Sequence, residues 1–324
     1  MIRSASLPSL AKINLDLRVL HKNPHGFHEM RTVFHTISLA DRLDVEFEAS
    51  PHTQIGIEDS AAIPDNLVVR AARSVLGALR TTARIRFRLT KKIPMGGGLG
   101  GGSSNAAAVL LALPVLAGRA LPLEKLLELA ADLGSDVPFF LLGGAVVGIG
   151  RGTEIYPLAD LADEPLLLIA PDVHVATGPA YQALNRTADP GKWSSGIRSF
   201  EKTCWTFERS GSAAEGIQVS ANDFEASVFR QHPNLRKLKA KLSVLSAGAR
   251  MTGSGSAIFG LFHSLEERRH AEKELRDDPL FRNCRFFRAE LVRRSKYQRL
   301  WRRQLQEHIT GNDDSWPPRS RYPK

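Results

Sequence analysis

Cysteine is nearly absent: Cys204 and Cys284 are the only two in 324 residues, far apart and without metal-ligand spacing. That excludes a cysteine-built metal site and fits reduced thiols in a cytoplasmic protein. Four histidines fall between His21 and His35, but no HExxH is present, and Pro24 and Gly26 break any helical register, so no metal-ligating set is read. No apolar h-region opens the chain. The apolar stretches around Val109 and Phe140 are shorter than about 18 residues or interrupted by proline and glycine, so no membrane span is expected. Positive charge is present but unevenly placed. The net charge is +10, of which +6 lies in Arg293–Lys324, where nine Lys/Arg meet three Asp/Glu. The body carries only +4, which argues against a nucleic-acid partner and suits an enzyme of phosphorylated ligands.

What the chain has in abundance is glycine in one place. Pro94-Met95-Gly96-Gly97-Gly98-Leu99-Gly100-Gly101-Gly102-Ser103-Ser104-Asn105 holds six glycines in seven positions. A flexible linker would have such a composition, but the flanks are structured. Ala83–Thr90 alternates apolar and polar residues like a half-buried strand, and Asn105–Leu113 is rich in helix formers, with Ser103, Ser104 or Asn105 available as N-cap. Strand, glycine loop and helix N-terminus together present N–H donors and the positive end of a helix dipole to an anion. No lysine follows the glycines, which excludes a Walker A loop. Gly96, Gly98 and Gly101 satisfy GxGxxG, but Leu116–Leu121 lacks the acidic residue a dinucleotide fold needs, which argues against a dehydrogenase.

Length favours two domains, and 43% hydrophobic with 24% charged residues is ordinary for a globular protein. Leu10–Leu20 reads as a strand with Lys12, Asn14, Asp16 and Arg18 on its polar face. Phe34–Phe47 reads as strand interrupted by a turn at Ala40-Asp41-Arg42. Helices are expected over Leu67–Leu79 and Leu123–Leu133, strands at Val146–Ile149 and Leu166–Ile169, and a variable loop region over residues 186–219. Strands and helices mix without strict alternation, so the expected class is α+β. The predicted organisation is a first domain over 1–158, a second over 159–292 and a basic extension over 293–324. In that extension Tyr297, Leu300, Trp301, Leu305 and Ile309 share a helical face. It is expected to dock on its own body or on a partner chain, with a membrane-surface or nucleic-acid contact as the sharper alternative. Residues 312–324 are expected to be disordered.

Pro94–Ala107 resembles the ATP loop of the GHMP kinases (galactokinase, homoserine kinase, mevalonate kinase and relatives). Ala11-Lys12-Ile13-Asn14-Leu15, Gly26-Phe27-His28-Glu29-Met30 and Gly134-Ser135-Asp136-Val137-Pro138 extend the resemblance along Leu10–Leu291. They are similar to the branch acting on a methylerythritol that carries a cytidine diphosphate. The resemblance implies a first domain like ribosomal protein S5, a ferredoxin-like second domain and a site between them. It also implies ATP-dependent phosphorylation of that substrate's 2-hydroxyl, within the non-mevalonate route to isoprenoids. A GHMP kinase acting on mevalonate or homoserine is the alternative. A nonenzymatic nucleotide-binding module would keep the glycine loop without needing Lys12 and Asp136.

The resemblance also assigns residues. Asp136 is the expected base for the attacking hydroxyl, although an Asp just before Val-Pro also suits an N-cap. Lys12, otherwise a solvated strand lysine, is the expected ammonium beside it, stabilising charge at the reacting oxygen. Backbone amides of Gly96, Gly97, Gly98, Leu99, Gly100, Gly101 and Gly102 are expected to hold the ATP phosphates, with Pro94 and Met95 leading in. Ser103 and Ser104 hydroxyls are expected near phosphate or Mg²⁺. Asn66 is read either as an adenine-side residue or as a helix N-cap. Phe27 and His28 are expected to receive the cytosine ring, with Tyr181 as a second aromatic, although Thr177-Gly178-Pro179 departs locally from the family pattern. Asn14, Thr177, Gly253 and Ser254 complete the substrate set, the last two in Thr252-Gly253-Ser254-Gly255-Ser256. Monomer and homodimer are both compatible with these features.

Overall fold

The computed structural model describes residues 1–22, 28–184, 190–310 and 315–322. A 21-residue strand, β1 (Ile2–Lys22), runs antiparallel to β2 (His28–Ala49). The chain continues through β3 (Gln54–Asp59), α1 (Leu67–Leu79) and β4 (Ala83–Thr90). β4 pairs antiparallel with the second half of β2 and parallel with β3. Its alternation holds: Ala83, Ile85, Phe87 and Leu89 are buried while the three arginines between them are exposed. β2 is not broken at Ala40-Asp41-Arg42. Its pairing with β1 shifts there instead, Leu10 facing Ala40 and Ala11 facing Ile37. Ser38 and Leu39 are the extra residues of a bulge, and Asp41 faces inward, 1% exposed.

Helix α2 (Gly101–Ala117) starts earlier than the serines suggested, with Gly100 as N-cap at φ +67° and no side-chain cap. Its residues 104–116 are buried on every side, as expected of an all-round apolar helix, so it forms the centre of the first core. Then come α3 (Leu123–Leu133), ended at Gly134, and the short α4 (Val137–Leu142). β5 (Ala145–Gly150) pairs with the first half of β2, and β6 (Glu154–Pro157) completes a six-stranded sheet.

Between Pro157 and Pro165 the chain passes to a second sheet, of order β10-β7-β9-β8. Its elements are β7 (Pro165–Ala170), α5 (Thr177–Ala183), α6 (Pro190–Ser210), α7 (Ala213–Gly216), α8 (Glu225–Gln231), α9 (Pro233–Leu245), β8 (Gly248–Met251), β9 (Ile258–Leu261), α10 (Leu265–Arg276) and β10 (Arg285–Glu290). The region expected to be loop over 186–219 is largely helical where described. Phe200, Thr203 and Phe207 recur at helical spacing on the buried face of α6, a period that its Gly/Ser/Lys content obscures. Residues 10–17 of β1 are buried on both faces, because this second half covers what reads as the strand's polar face.

The extension forms α11 (Arg294–Leu305), with Tyr297, Trp301 and Leu305 in the first core. It docks on its own body. Residues 315–322 are also packed, correcting the expectation of disorder there: Trp316 Nε1 donates to Leu141 O at 2.8 Å and Ser320 Oγ to Val115 O at 2.8 Å. No helix among the described residues is long and apolar enough to cross a membrane.

Candidate active site

β1 brings Lys12 and Asn14 to the seam between the two sheets. Lys12 is 3% exposed, so the solvated-lysine reading fails. Its backbone N–H donates to Leu99 O at 3.0 Å, tying the strand to the glycine loop. Its ammonium lies 3.3 Å from Asp136 Oδ2, donates to Asn14 Oδ1 at 2.8 Å and stands 5.0 Å from the Phe34 ring centre. Asp136 occupies the N-cap position of α4 but makes no side-chain cap bond there. Its carboxylate points to Lys12 and is about a third exposed, so a substrate hydroxyl has access to it. A plain cap residue would have used that oxygen on the helix.

Asn14 is a hub rather than an open ligand. Its Oδ1 also accepts from Gly253 N at 2.9 Å, and its Nδ2 donates to Thr32 Oγ1 at 2.7 Å. Asn222 holds the same loop from the other side, its Nδ2 donating to Met251 O and Gly253 O. The β8–β9 loop thereby meets the glycine loop. Thr252 Oγ1 is 3.3 Å from Gly98 O, and a Cβ added at Gly98 would sit 2.3 Å from Thr252 O. Gly98 is at φ +75°, so two separate reasons demand glycine there.

Within the glycine loop Met95, Gly96 and Gly102 are exposed, whereas Pro94, Gly97, Leu99 and Ser104 are buried. Since no side chain caps α2, its first turn is open to an anion at the positive end of a buried helix. Asn66 caps α1: its Oδ1 accepts from Val68 N at 3.0 Å and its Nδ2 donates to Asp59 Oδ2 at 2.8 Å.

Gly26 and Phe27 lie outside the described residues. His28 stacks on Tyr181, ring centres 5.0 Å apart at 25°, and Phe224 meets Tyr181 edge-on at 4.8 Å. Burial and the nearby Asp136 charge push the Tyr181 phenol up to about 12, so it stays a donor. Thr177 Oγ1 and Ser254 Oγ are 3.2 Å apart. A cavity of about 380 Å³ lies here, lined by Lys22, His28, Met30, Ser135, Arg151 and Tyr181 among others, next to Asp136 in sequence through Ser135. A larger cavity of about 700 Å³, between α11 and β1, β2 and β4, is lined by none of the motif residues.

Three residues of the site escaped the sequence. Asp41 accepts from Lys92 N at 2.7 Å, Ile93 N at 2.9 Å, Asn105 Nδ2 at 3.1 Å and the Lys91 ammonium, fixing both ends of the glycine loop. His174 lies against Gly96, where an added Cβ would approach Nδ1 to 2.8 Å. Asn222 comes from a segment with no motif. Only the buried acid between apolar strand residues offered a signal, and it read as a turn.

The chain matches the GHMP kinases N terminal domain over residues 66–144 and the GHMP kinases C terminal domain over 206–279. It is 51% identical to a 4-diphosphocytidyl-2-C-methyl-D-erythritol kinase of Solibacter usitatus (strain Ellin6076), across 99% of this chain and 98% of the relative. A relative of the same name from Geobacter metallireducens (strain ATCC 53774 / DSM 7210 / GS-15) is 34% identical, over 85% of this chain and 95% of its own. The crystal structure of a 4-(cytidine 5'-diphospho)-2C-methyl-D-erythritol kinase superposes with TM-score 0.71 at 33% identity, covering 88% of this chain and 98% of that one. A homoserine kinase from Cytophaga hutchinsonii shares the fold at TM-score 0.70 and 18% identity, over 89% of this chain and 97% of that one. On sequence, fold and the arrangement of its motifs, the chain belongs to the 4-diphosphocytidyl-2-C-methyl-D-erythritol kinases, a family of GHMP kinases.

Proposed function

We propose that this chain transfers the γ-phosphoryl group of ATP to the 2-hydroxyl of 4-diphosphocytidyl-2-C-methyl-D-erythritol. The observation that carries the reading is the Lys12–Asp136 pair, 3.3 Å apart and reachable beside the glycine loop. Asp136 accepts the hydroxyl proton as that oxygen attacks phosphorus and the bond to the ADP oxygen breaks. Lys12, held by Asn14, stabilises the charge on the attacking oxygen. Backbone N–H groups of Gly96–Ser103 at the N-terminus of α2 hold the phosphates, the Ser104 N–H being donated to Gly100 O, with Pro94, Met95 and Asn66 on the nucleoside side.

Among the described residues no three His, Cys, Asp or Glu gather around a point. The hydroxyl of half-buried Ser103 and the partly exposed Asp136 carboxylate, with buried Ser104 behind them, are the oxygen donors that would hold Mg²⁺ carried on nucleotide phosphates, since this ion keeps waters and takes one or two carboxylates. Bound there, it neutralises charge on the transferring group.

Phe27, His28 and Tyr181 receive the cytosine ring, and Thr177, Gly253 and Ser254 shape the remaining wall, with buried Asn14 holding Gly253 N from behind. His28 stacks directly on Tyr181, so a base on the Tyr181 face takes the imidazole's place while His28 moves to the base's polar edge. We assign residues 1–158 to an ATP-binding domain, 159–292 to a second domain and 293–324 to the extension, and infer a cytoplasmic monomer or homodimer.

ADP release measured with the cytidine substrate, mevalonate and homoserine tests the reading. Turnover with the first alone is expected; turnover with mevalonate alone overturns it. Asp136→Asn is expected to lower kcat by about 10²–10⁴-fold with folding intact. A near-normal kcat removes Asp136 from the role of base.

A further inference from the structure

We propose that the C-terminal extension is a brace for the catalytic carboxylate, in which Tyr297 and Trp316 grip the last carbonyls of α4 and so hold Asp136, at the other end of that helix, against Lys12. The inference rests on the reading of Asp136 as base. It concerns residues beyond the GHMP C-terminal match, which ends at residue 279.

A helix of six residues cannot satisfy its own terminal carbonyls. Gly143 N donates to Phe139 O at 2.9 Å, but the next two acceptors are met from the extension. The Tyr297 hydroxyl donates to Phe140 O, and Trp316 Nε1 donates to Leu141 O at 2.8 Å. Tyr297 is 1% exposed and lies against Gly143, where an added Cβ would be 2.4 Å from its ring. Burial drives its phenol far above the ordinary tyrosine value, so it remains a donor.

α4 is thereby clamped from both sides. The Phe140 ring lies against Gly100 of the glycine loop, where an added Cβ would meet it at 2.9 Å. Phe139 packs on Phe34 at 5.1 Å between ring centres, and Phe34 is the ring near the Lys12 ammonium. One short helix thus touches the phosphate loop, the base and the support of the lysine, and two extension side chains fix its far end. The segments that carry them are anchored apart from α4: on the Trp316 side Arg302 Nη2 donates to Ser315 O at 2.8 Å and Ser320 Oγ to Val115 O at 2.8 Å, and on the Tyr297 side two bonds lead in. Arg294 donates to Ala145 O at 2.6 Å, and Val292 N donates to Thr36 O at 3.0 Å. Interior packing transmits such a displacement instead of absorbing it.

Tyr297 and Trp316 are positioning residues, and the test must separate positioning from stability. Tyr297→Phe in the full chain keeps the ring and removes only the donor, whereas Trp316→Phe removes the indole N–H together with part of the ring that packs on the first core. Ser320→Ala removes an extension hydrogen bond of the same kind, made to Val115 O of α2 instead of α4. Each single donor loss on α4 is expected to lower kcat about tenfold, since sub-ångström misplacement of a reacting group is costly. KM for ATP and for the cytidine substrate should change less than about twofold, because binding common to ground and transition state is untouched. Ser320→Ala should leave kcat unchanged at a similar loss of Tm. In an Asp136→Asn background, Tyr297→Phe should cost nothing further, since the positioned group is gone.

The proposal is overturned if the double variant Tyr297→Phe/Trp316→Phe keeps kcat within about twofold of the parent, or if Ser320→Ala lowers kcat equally. It is also overturned if the losses add in the Asp136→Asn background. Should Trp316→Phe fail to fold, Tyr297→Phe decides alone. Full activity of Asp136→Asn by itself would fail the base reading; loss in Asp136→Asn beside unaffected extension variants would fail only the brace.

Discussion

His35 is fully buried in β2, its Nδ1 donating to Thr36 O at 2.8 Å while its Nε2 meets no hydrogen-bond partner among the described residues. Burial pulls its pKa down to about 4, against the opposing pull of the Asp160 and Asp163 charges. The folded state therefore keeps the ring neutral where the unfolded chain, near 6.5, binds a proton. Stability is present above about 6.5 and is lost as pH falls toward 4. Between pH 7 and 5 this residue should remove about 2 kcal/mol of stability. Urea unfolding of the parent and His35→Gln at both pH values checks it: the variant should lose less by that difference, and equal losses would refute it. At this scale the sequence is most informative where a residue stands in a motif shared with the family. Lys12 and Asp136 stood in recognisable motifs, and the structure brings them together. Asp41 and Asn222 were not legible, because an anchoring carboxylate or amide gains its role from backbone groups distant in sequence.

Among elements, the two glycine loops meet backbone to backbone, with no side chain that could give way. Gly98 has both a positive φ and the Thr252 carbonyl where a Cβ would go, whereas Gly102 has nothing nearer than Leu67 Cδ1 at 3.7 Å. Gly98→Ala therefore forces the loops apart. The backbone strain alone, about 1–2 kcal/mol, corresponds to roughly tenfold in KM for ATP. Gly102→Ala should shift KM for ATP less; equal shifts would show that the contact is not limiting. β4, α1 and α3 were legible from periodicity, since one face of each is solvated. The start of α2 is hidden in the sequence because its N-terminus lacks the side-chain cap that usually marks one. α6 was misread from composition, although its buried aromatics keep helical spacing.

Across the whole molecule, β1 is common to all three hydrophobic clusters. Leu7 and Leu10 belong to the first, Ile13 and Leu15 to the second, and Leu17 and Val19 to the third. Leu17 also bonds through its N–H to Ala221 O at 2.8 Å, and Ile37 bridges Leu291. One strand cannot leave one core without disturbing the others. The two halves should thus unfold together, with calorimetric and van't Hoff enthalpies in agreement. Two resolved thermal transitions would refute this.

The sequence by itself determined the glycine loop between strand and helix and the α+β class, and through its motifs the kinase family and the choice of Lys12 and Asp136 as candidate residues. The loop and the class are written in local spacing, whereas the choice of Lys12 and Asp136 comes from the motifs the chain shares with the family. The tertiary structure decided how these parts meet: that Lys12 is buried, that Asp136 turns from its helix cap to the ammonium, and that Asp41 fixes the ends of the glycine loop. It also decided where the extension goes. An apolar helical face specifies burial but not the surface that buries it, and here that surface includes the far end of the short helix that Asp136 precedes.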